Sequence, residues 1–242
     1  MAKHTQYHEL YEALEEQGCA ICRLVVKAIK RYAAGVVYEC ANDHGVQQDV
    51  LKARGWCNLH AWQLTDQTGC AFDVAILYRS TLRKLSETVK AYNPQKREGG
   101  SGGALGWLRA AVGTNEMVSA ASLDAELGPR GLCPACRLRA QTEKAYLETL
   151  LEHINDPDIA ERLGGAGGLC WPHFRLALEQ GPSQRQLQAL VAVQHAATEA
   201  LLSELEEFIR KNDYRFREEP MGNERDAWLR VIAQISGSRG VW

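Results

Sequence analysis

Residues 19–43, CAICRLVVKAIKRYAAGVVYECAND, decide the fold, because residues 133–156, CPACRLRAQTEKAYLETLLEHIND, repeat them with one deletion. In each copy apolar residues recur every three or four positions after the paired cysteines. Leu24, Val25, Ala28, Ile29 and Tyr32 do so in the first, Tyr146, Leu150 and His153 in the second. That period belongs to a helix with one face turned inward. The spacing therefore predicts helices over Ile21–Cys40 and Ala135–Asn155.

The repeat extends outward. Sliding the chain against itself by 113 to 114 residues lays Cys19, Cys22, Cys57 and His60 over Cys133, Cys136, Cys170 and His173. Arg23-Leu24 meets Arg137-Leu138, Asn42-Asp43 meets Asn155-Asp156, and Gly55 meets Gly168. A self-match at so long a period signals duplicated domains rather than a solenoid.

The turn chemistry of Asn42-Asp43 and Asn155-Asp156-Pro157 predicts short return helices over Val46–Lys52 and Ile159–Leu163, each ending in glycine. A third helix opens at each Cys-x-x-His, and long helices follow over Ala71–Tyr92 and Arg185–Lys211. The latter carries Leu187, Leu190, Val193, Ala197, Leu201, Leu205 and Ile209 at helical spacing. No strand alternation occurs. The expected fold is all-α: two homologous helical-bundle modules, each built around a CxxC…CxxH metal site, plus a C-terminal helix.

The expected boundaries are a first module at 1–93, a linker with a short apolar segment at 94–131, a second module at 132–214 and a C-terminal extension at 215–242. Glycine, serine and charge replace apolar periodicity from Asn93 to Leu105, and a brief apolar run, Trp107 to Val112, follows. A last helix over Asn223–Ile235 is expected to dock through Trp228.

At a helix start, residues i and i+3 share a face, so Cys-x-x-Cys and Cys-x-x-His each offer two ligands to one point. Unpaired N–H groups and the helix dipole there favour thiolate. Pro134 and Pro172 suit a first helical turn, where a missing N–H is harmless. Within one module, a helix of about 20 residues carries the chain ~30 Å from its CxxC, and some fourteen residues suffice to return it. The expected ligand sets are Cys19, Cys22, Cys57 and His60 in one module and Cys133, Cys136, Cys170 and His173 in the other.

Three thiolates and an imidazole make a closed set that suits structural zinc, one ion per module. Iron–sulfur ligation stands as the alternative, since soft thiolates serve both metals. A thioredoxin-type dithiol would want a preceding strand and a βαβ context, which the sequence lacks. Arg23 and Arg137, each following a CxxC, either donate to a ligand sulfur or stand solvated. GGAGG at 164–168 is expected to let the backbone approach the metal. Cys40 and Cys70 have no counterparts in the second copy and are expected to pack in the core. His44, His153 and His195 stand alone and are excluded as ligands.

Composition narrows the function. Eight cysteines in 242 residues with no apolar leader and no bilayer-length run point to a cytoplasmic protein with metal or thiol chemistry rather than disulfides. A net charge of −2 gives no footprint for nucleic acid, and the acids of Arg210–Pro220 offset its bases. No phosphate loop, HExxH or GxSxG occurs, so no catalytic residue is assigned and an enzyme is the less favoured reading. The expectation is a zinc-binding helical scaffold with a protein partner, the alternative an iron–sulfur or thiol-based redox or metal-responsive protein.

The CxxC…GxCxxH repeats, with DYRFREEPMGNERDAWLR at 213–230, resemble those of an uncharacterised prokaryotic family of all-helical proteins. The resemblance spans most of the chain. It implies the architecture and carries no established activity.

Overall fold

The computed structural model describes residues 2–91, 114–216 and 218–242. Helices α1 (Ala2–Ala13), α2 (Ala20–Tyr38), α3 (His44–Lys52), α4 (Asn58–Leu64) and α5 (Ala71–Ala91) come first. After them run α6 (Thr114–Leu127), α7 (Pro134–His153), α8 (Pro157–Gly165), α9 (Trp171–Glu179), α10 (Gln184–Lys211) and α11 (Ala227–Ser236). Short 3₁₀ turns at Tyr214–Phe216 and Asn223–Asp226 join the last two. No strand occurs among the described residues. The chain is all-helical, as the periodicity predicts.

Both copies of the repeat fold in one order: long helix, capped short helix, CxxH helix, long helix. The Asn-Asp pairs owe their place to capping. Asp43 accepts the Val46 N–H at 2.9 Å to open α3, and Asp156 accepts the Asp158 N–H at 3.1 Å to open α8. Each oxygen satisfies an N–H that the first turn leaves unpaired. Ser183 and Gln186 form a reciprocal capping box at the start of α10.

Two helices lie outside those that the periodicity predicts. α1 has little amphipathic signal, yet it buries Leu10 and Leu14. α6 occupies 114–127, inside the stretch expected to be a linker. The rest of that expectation, Asn93 to Leu105 and the apolar run Trp107 to Val112, lies outside the described residues.

The described residues gather into two compact units that cut across the sequence modules. One comprises Met1–Arg31 and Leu138–Trp242, the other Tyr32–Arg137. The chain changes unit inside α2, between Arg31 and Tyr32, and changes back inside α7, between Arg137 and Leu138. Helix length explains this: α2 has 19 residues and α7 has 20, so each advances its chain by ~30 Å.

In the first unit the core is built from Leu10, Ile21, Leu147, Leu150, Ile154, Ile159, Leu163, Leu169 and Leu190, all fully buried. Each such side chain contributes about 1.5–3 kcal/mol by leaving water. The loop before α2 is stitched to the end of α8, where Gly18 N–H donates to Ala166 O at 2.7 Å and Gln17 Nε2 to Gly165 O at 2.7 Å. In the second unit Val36, Val37, Val50, Leu64 and Leu77 form the core, and Tyr32 stacks on Trp56 with centroids 5.5 Å apart.

α11 does not dock through Trp228, which is 47% exposed together with the half-exposed Leu229, Ile232 and Ile235. Its buried residues are Ala227 and Gln234. The small side chain permits close approach to α10, and the amide is used at the site below. The apolar stripe of α10 is likewise only partly inward: Leu190 and Ala197 are buried with Gln194, whereas Ile209 is 62% exposed.

Candidate metal centres

All eight sequence-predicted ligands are drawn into two clusters, but the partnership is crossed. Cys19, Cys22, Cys170 and His173 form centre 1, and Cys57, His60, Cys133 and Cys136 form centre 2. Each CxxC thus meets the CxxH of the other sequence copy. This corrects the expected sets, in which each module closed its own site. The physical reason is again helix length. α2 starts at centre 1 and its chain passes into the second unit, so the nearest CxxH to come is needed there rather than back at Cys19. α7 opens with Cys133 and Cys136 beside that CxxH and leads to the unit where Cys170 follows.

Every ligand stands at a helix start, as expected. Cys170 and Cys57 are the N-cap residues of α9 and α4, with extended backbone, and make no side-chain cap hydrogen bond. Their sulfurs are therefore free to turn inward. His173 and His60 sit one turn on and present Nδ1.

In centre 1, the Cys22 and Cys170 sulfurs are 3.6 Å apart. His173 Nδ1 lies 3.4, 3.3 and 3.2 Å from the sulfurs of Cys19, Cys22 and Cys170. In centre 2, Cys57 and Cys136 sulfurs are 3.6 Å apart. His60 Nδ1 stands 3.1, 3.8 and 3.4 Å from Cys57, Cys133 and Cys136. A tetrahedral ion with bonds of about 2.3 Å to sulfur and 2.0–2.1 Å to nitrogen sets ligand separations of roughly 3.6–3.8 Å. A disulfide requires about 2.05 Å, and all eight cysteines are free. The sulfur pairs match the tetrahedral spacing, most Nδ1 contacts fall somewhat inside it, and the donor set of each cluster fits one cation.

The electrostatics of the clusters suit a cation. Hydrogen bonds to Cys19 and Cys22, together with burial, push the Cys170 thiol up, while Cys22 is lowered, first by its contact with Cys170. Burial pushes Cys136 up to about 12, and the neighbouring Cys57 and Cys133 sulfurs add to the rise. Burial opposes a charge on His173, yet contacts with the Cys19 and Cys22 sulfurs hold its pKa at about 11. So many sulfurs in contact cannot all ionise unaided. A divalent cation bound there would relieve the repulsion and displace the shared protons.

The supporting shell was not legible in the sequence. Leu169, next to the ligand Cys170, donates its N–H to Gln194 Oε1 at 3.0 Å, and its carbonyl accepts from Gln194 Nε2 and Gln234 Nε2, each at 2.9 Å. Gly168 has φ of 77°, and a Cβ there would lie 2.9 Å from Gln194 Oε1. At centre 2 the Trp56 N–H donates to Tyr78 Oη at 3.2 Å, while Gly55 has φ of 104° and its Cβ would meet the Tyr78 ring at 3.1 Å. The glycine before each Cys-x-x-His is thus required by a left-handed turn under a side chain from the next long helix.

Centre 1 has further cover. Glu143 Oε1, itself buried, lies 3.5 Å from His173 Nε2 and from Arg139 Nε. The Trp242 ring packs on His173 at 5.1 Å, Arg139 lies over that ring, and the Ser238 N–H points to Cys22 Sγ at 3.4 Å. Arg23 donates instead to Gln17 O at 2.7 Å and Ala13 O, and Arg137 pairs with Asp49. Neither arginine serves a ligand sulfur. Cys40 and Cys70 join neither cluster and are half-buried rather than core. His44, His153 and His195 also stay apart.

No helix among the described residues is long and apolar enough to cross a membrane. No solved structure matches the chain. Over 234 residues it is 21% identical to the "Uncharacterized 23.9 kDa protein in xynA 3'region" of Caldicellulosiruptor sp. (strain Rt8B.4), covering 95% of this chain and 100% of that one. A family model described as "Family of unknown function (DUF6062)" matches residues 1–240, and the chain belongs to that family.

Proposed function

We propose that the protein is a non-enzymatic helical scaffold in which each Cys₃His centre holds one zinc ion, and that it presents the helices so fixed to a protein partner. The supporting observation is closure. Each cluster supplies four ligand atoms, all within 4.8 Å of one another, and three thiolates with one imidazole leave no position for water or substrate on a tetrahedral ion. A multi-iron core would place its ligands on different irons and spread them further, so this compactness favours a single ion.

The crossed pairing gives the ions work to do in the fold. Centre 1 joins residues separated by 148 to 154 positions and so clamps the two chain segments of the first unit, 1–31 and 138–242. Centre 2 ties the starts of α4 and α7 across 73 to 79 positions. Internal duplication of one unit, followed by exchange of CxxH partners, accounts for the arrangement. The net charge of −2 supports a protein rather than a nucleic acid as partner, and the number of reduced thiols supports a cytoplasmic setting.

The test is metal analysis of protein purified from cells replete in both zinc and iron. About two zinc ions per chain, with no visible chromophore, support the reading. Iron with acid-labile sulfide would replace it with the redox alternative.

A further inference from the structure

We propose that centre 2 is a peroxide-sensitive thiol switch that releases its metal while centre 1 stays closed. The inference rests on the metal-centre reading above and names a regulation of one site. Two observations carry it. The first is unequal cover. Cys22, Cys170 and His173 are 0% exposed and Cys19 is 6%, and the Ser238 N–H and the Trp242 ring pack against them. Cys57 and Cys136 of centre 2 are only half-buried, which leaves this centre the more open of the two to a solute as small as hydrogen peroxide. Reactivity of a thiolate follows access as well as charge.

The second observation is proximity. The two half-buried cysteines of centre 2 are the pair whose sulfurs lie 3.6 Å apart, so a disulfide needs an approach of roughly 1.5 Å. One partner, Cys57, caps a helix of only 7 residues, a short element to shift.

The chemistry balances with one peroxide per centre. The first thiolate reached attacks a peroxide oxygen; the O–O bond breaks, hydroxide leaves and takes a proton as water, and the sulfur becomes a sulfenic acid. The second thiolate attacks that sulfur; the S–O bond breaks, a second hydroxide leaves as water, and the S–S bond forms. Two electrons pass from the sulfurs to peroxide. His60 and Cys133 alone then remain as ligands, too few to retain the cation.

The full-length protein is first assayed for zinc; absence of two ions per chain defeats the metal reading and leaves the switch without a substrate. Given two, hydrogen peroxide is added in the presence of a chromophoric zinc indicator, and disulfides are mapped by peptide mass. The expected result is release of one zinc per chain, a Cys57–Cys136 disulfide, and rebinding after dithiothreitol. The variant C40S/C70S, which removes the two half-buried thiols outside both centres, should respond identically. Release of both ions or neither, or a disulfide within Cys19, Cys22 and Cys170, overturns the proposal.

Discussion

The sulfurs of Cys22 and Cys170 stand 3.6 Å apart although 148 residues separate them in the chain. That contact lies across the two chain segments of the first unit, beside the Gly18–Ala166 and Gln17–Gly165 hydrogen bonds that also join them. Stability should therefore depend on metal. Removing it with a high-affinity chelator should lower the thermal midpoint by roughly 10 °C or more, as expected when a ligand bound about a thousandfold above its dissociation constant is withdrawn. Helicity should fall with it, followed by circular dichroism. An unchanged melting curve on metal-free protein would speak against a structural role.

Glu143 should tune one centre only. Its carboxylate lies 3.5 Å from His173 Nε2, where an acceptor orients a metal-bound imidazole and raises its basicity. Glu143→Gln should weaken zinc binding about 10- to 100-fold at centre 1. A competition titration should then resolve two classes of site where the wild type gives a closer pair. Equal weakening of both centres, or of neither, would contradict the assignment.

Gly168 should resist substitution. Gly168→Ala forces a left-handed φ of 77° on a residue with a Cβ, 2.9 Å from Gln194 Oε1. The cost should be on the order of 1–3 kcal/mol in urea unfolding. Gly165→Ala, where a Cβ meets nothing within 4 Å, is the control and should be near neutral.

Those glycines show what the sequence allowed. The helices of the two repeats, the Asn-Asp turns and all eight ligands follow from local spacing, whereas α1 and α6 carry little periodic signal and do not. The crossed partnership does not, because closing Cys19 on His60 or on His173 uses the same residue types at the same intervals. α2 and α7 carry the chain from one unit to the other before the next CxxH arrives, and spacing along the chain does not distinguish that course from a return. Gln194, Gln234, Tyr78 and Glu143 were equally hidden, since a polar residue on a long helix looks solvated until its neighbours are known.

Acid should act on the C-terminal segment in part through Glu224. Lys211 Nζ and the Gly222 N–H each reach Glu224 Oε1 at 2.7 Å and hold its pKa at about 2, the lysine contributing most. A lowered carboxylate pKa means stability that is present above the ordinary value of about 4.3 and lost as pH falls toward 2. Glu224→Gln should be less stable than wild type at neutral pH, and the gap should close between about pH 5 and pH 2. Both proteins should be compared metal-free, since protons also displace the ions. A gap that widens in acid would reverse the sign of the argument.

The crossed pairing itself is tested by counting zinc in two double variants. In C22S/C170S both losses fall on centre 1, so about one zinc per chain should remain. In C22S/C57S each centre loses a ligand and both ions should be absent or weakly held. The opposite outcome, one ion kept by C22S/C57S and none by C22S/C170S, would mean that each CxxC closes on its own module, contrary to the structure.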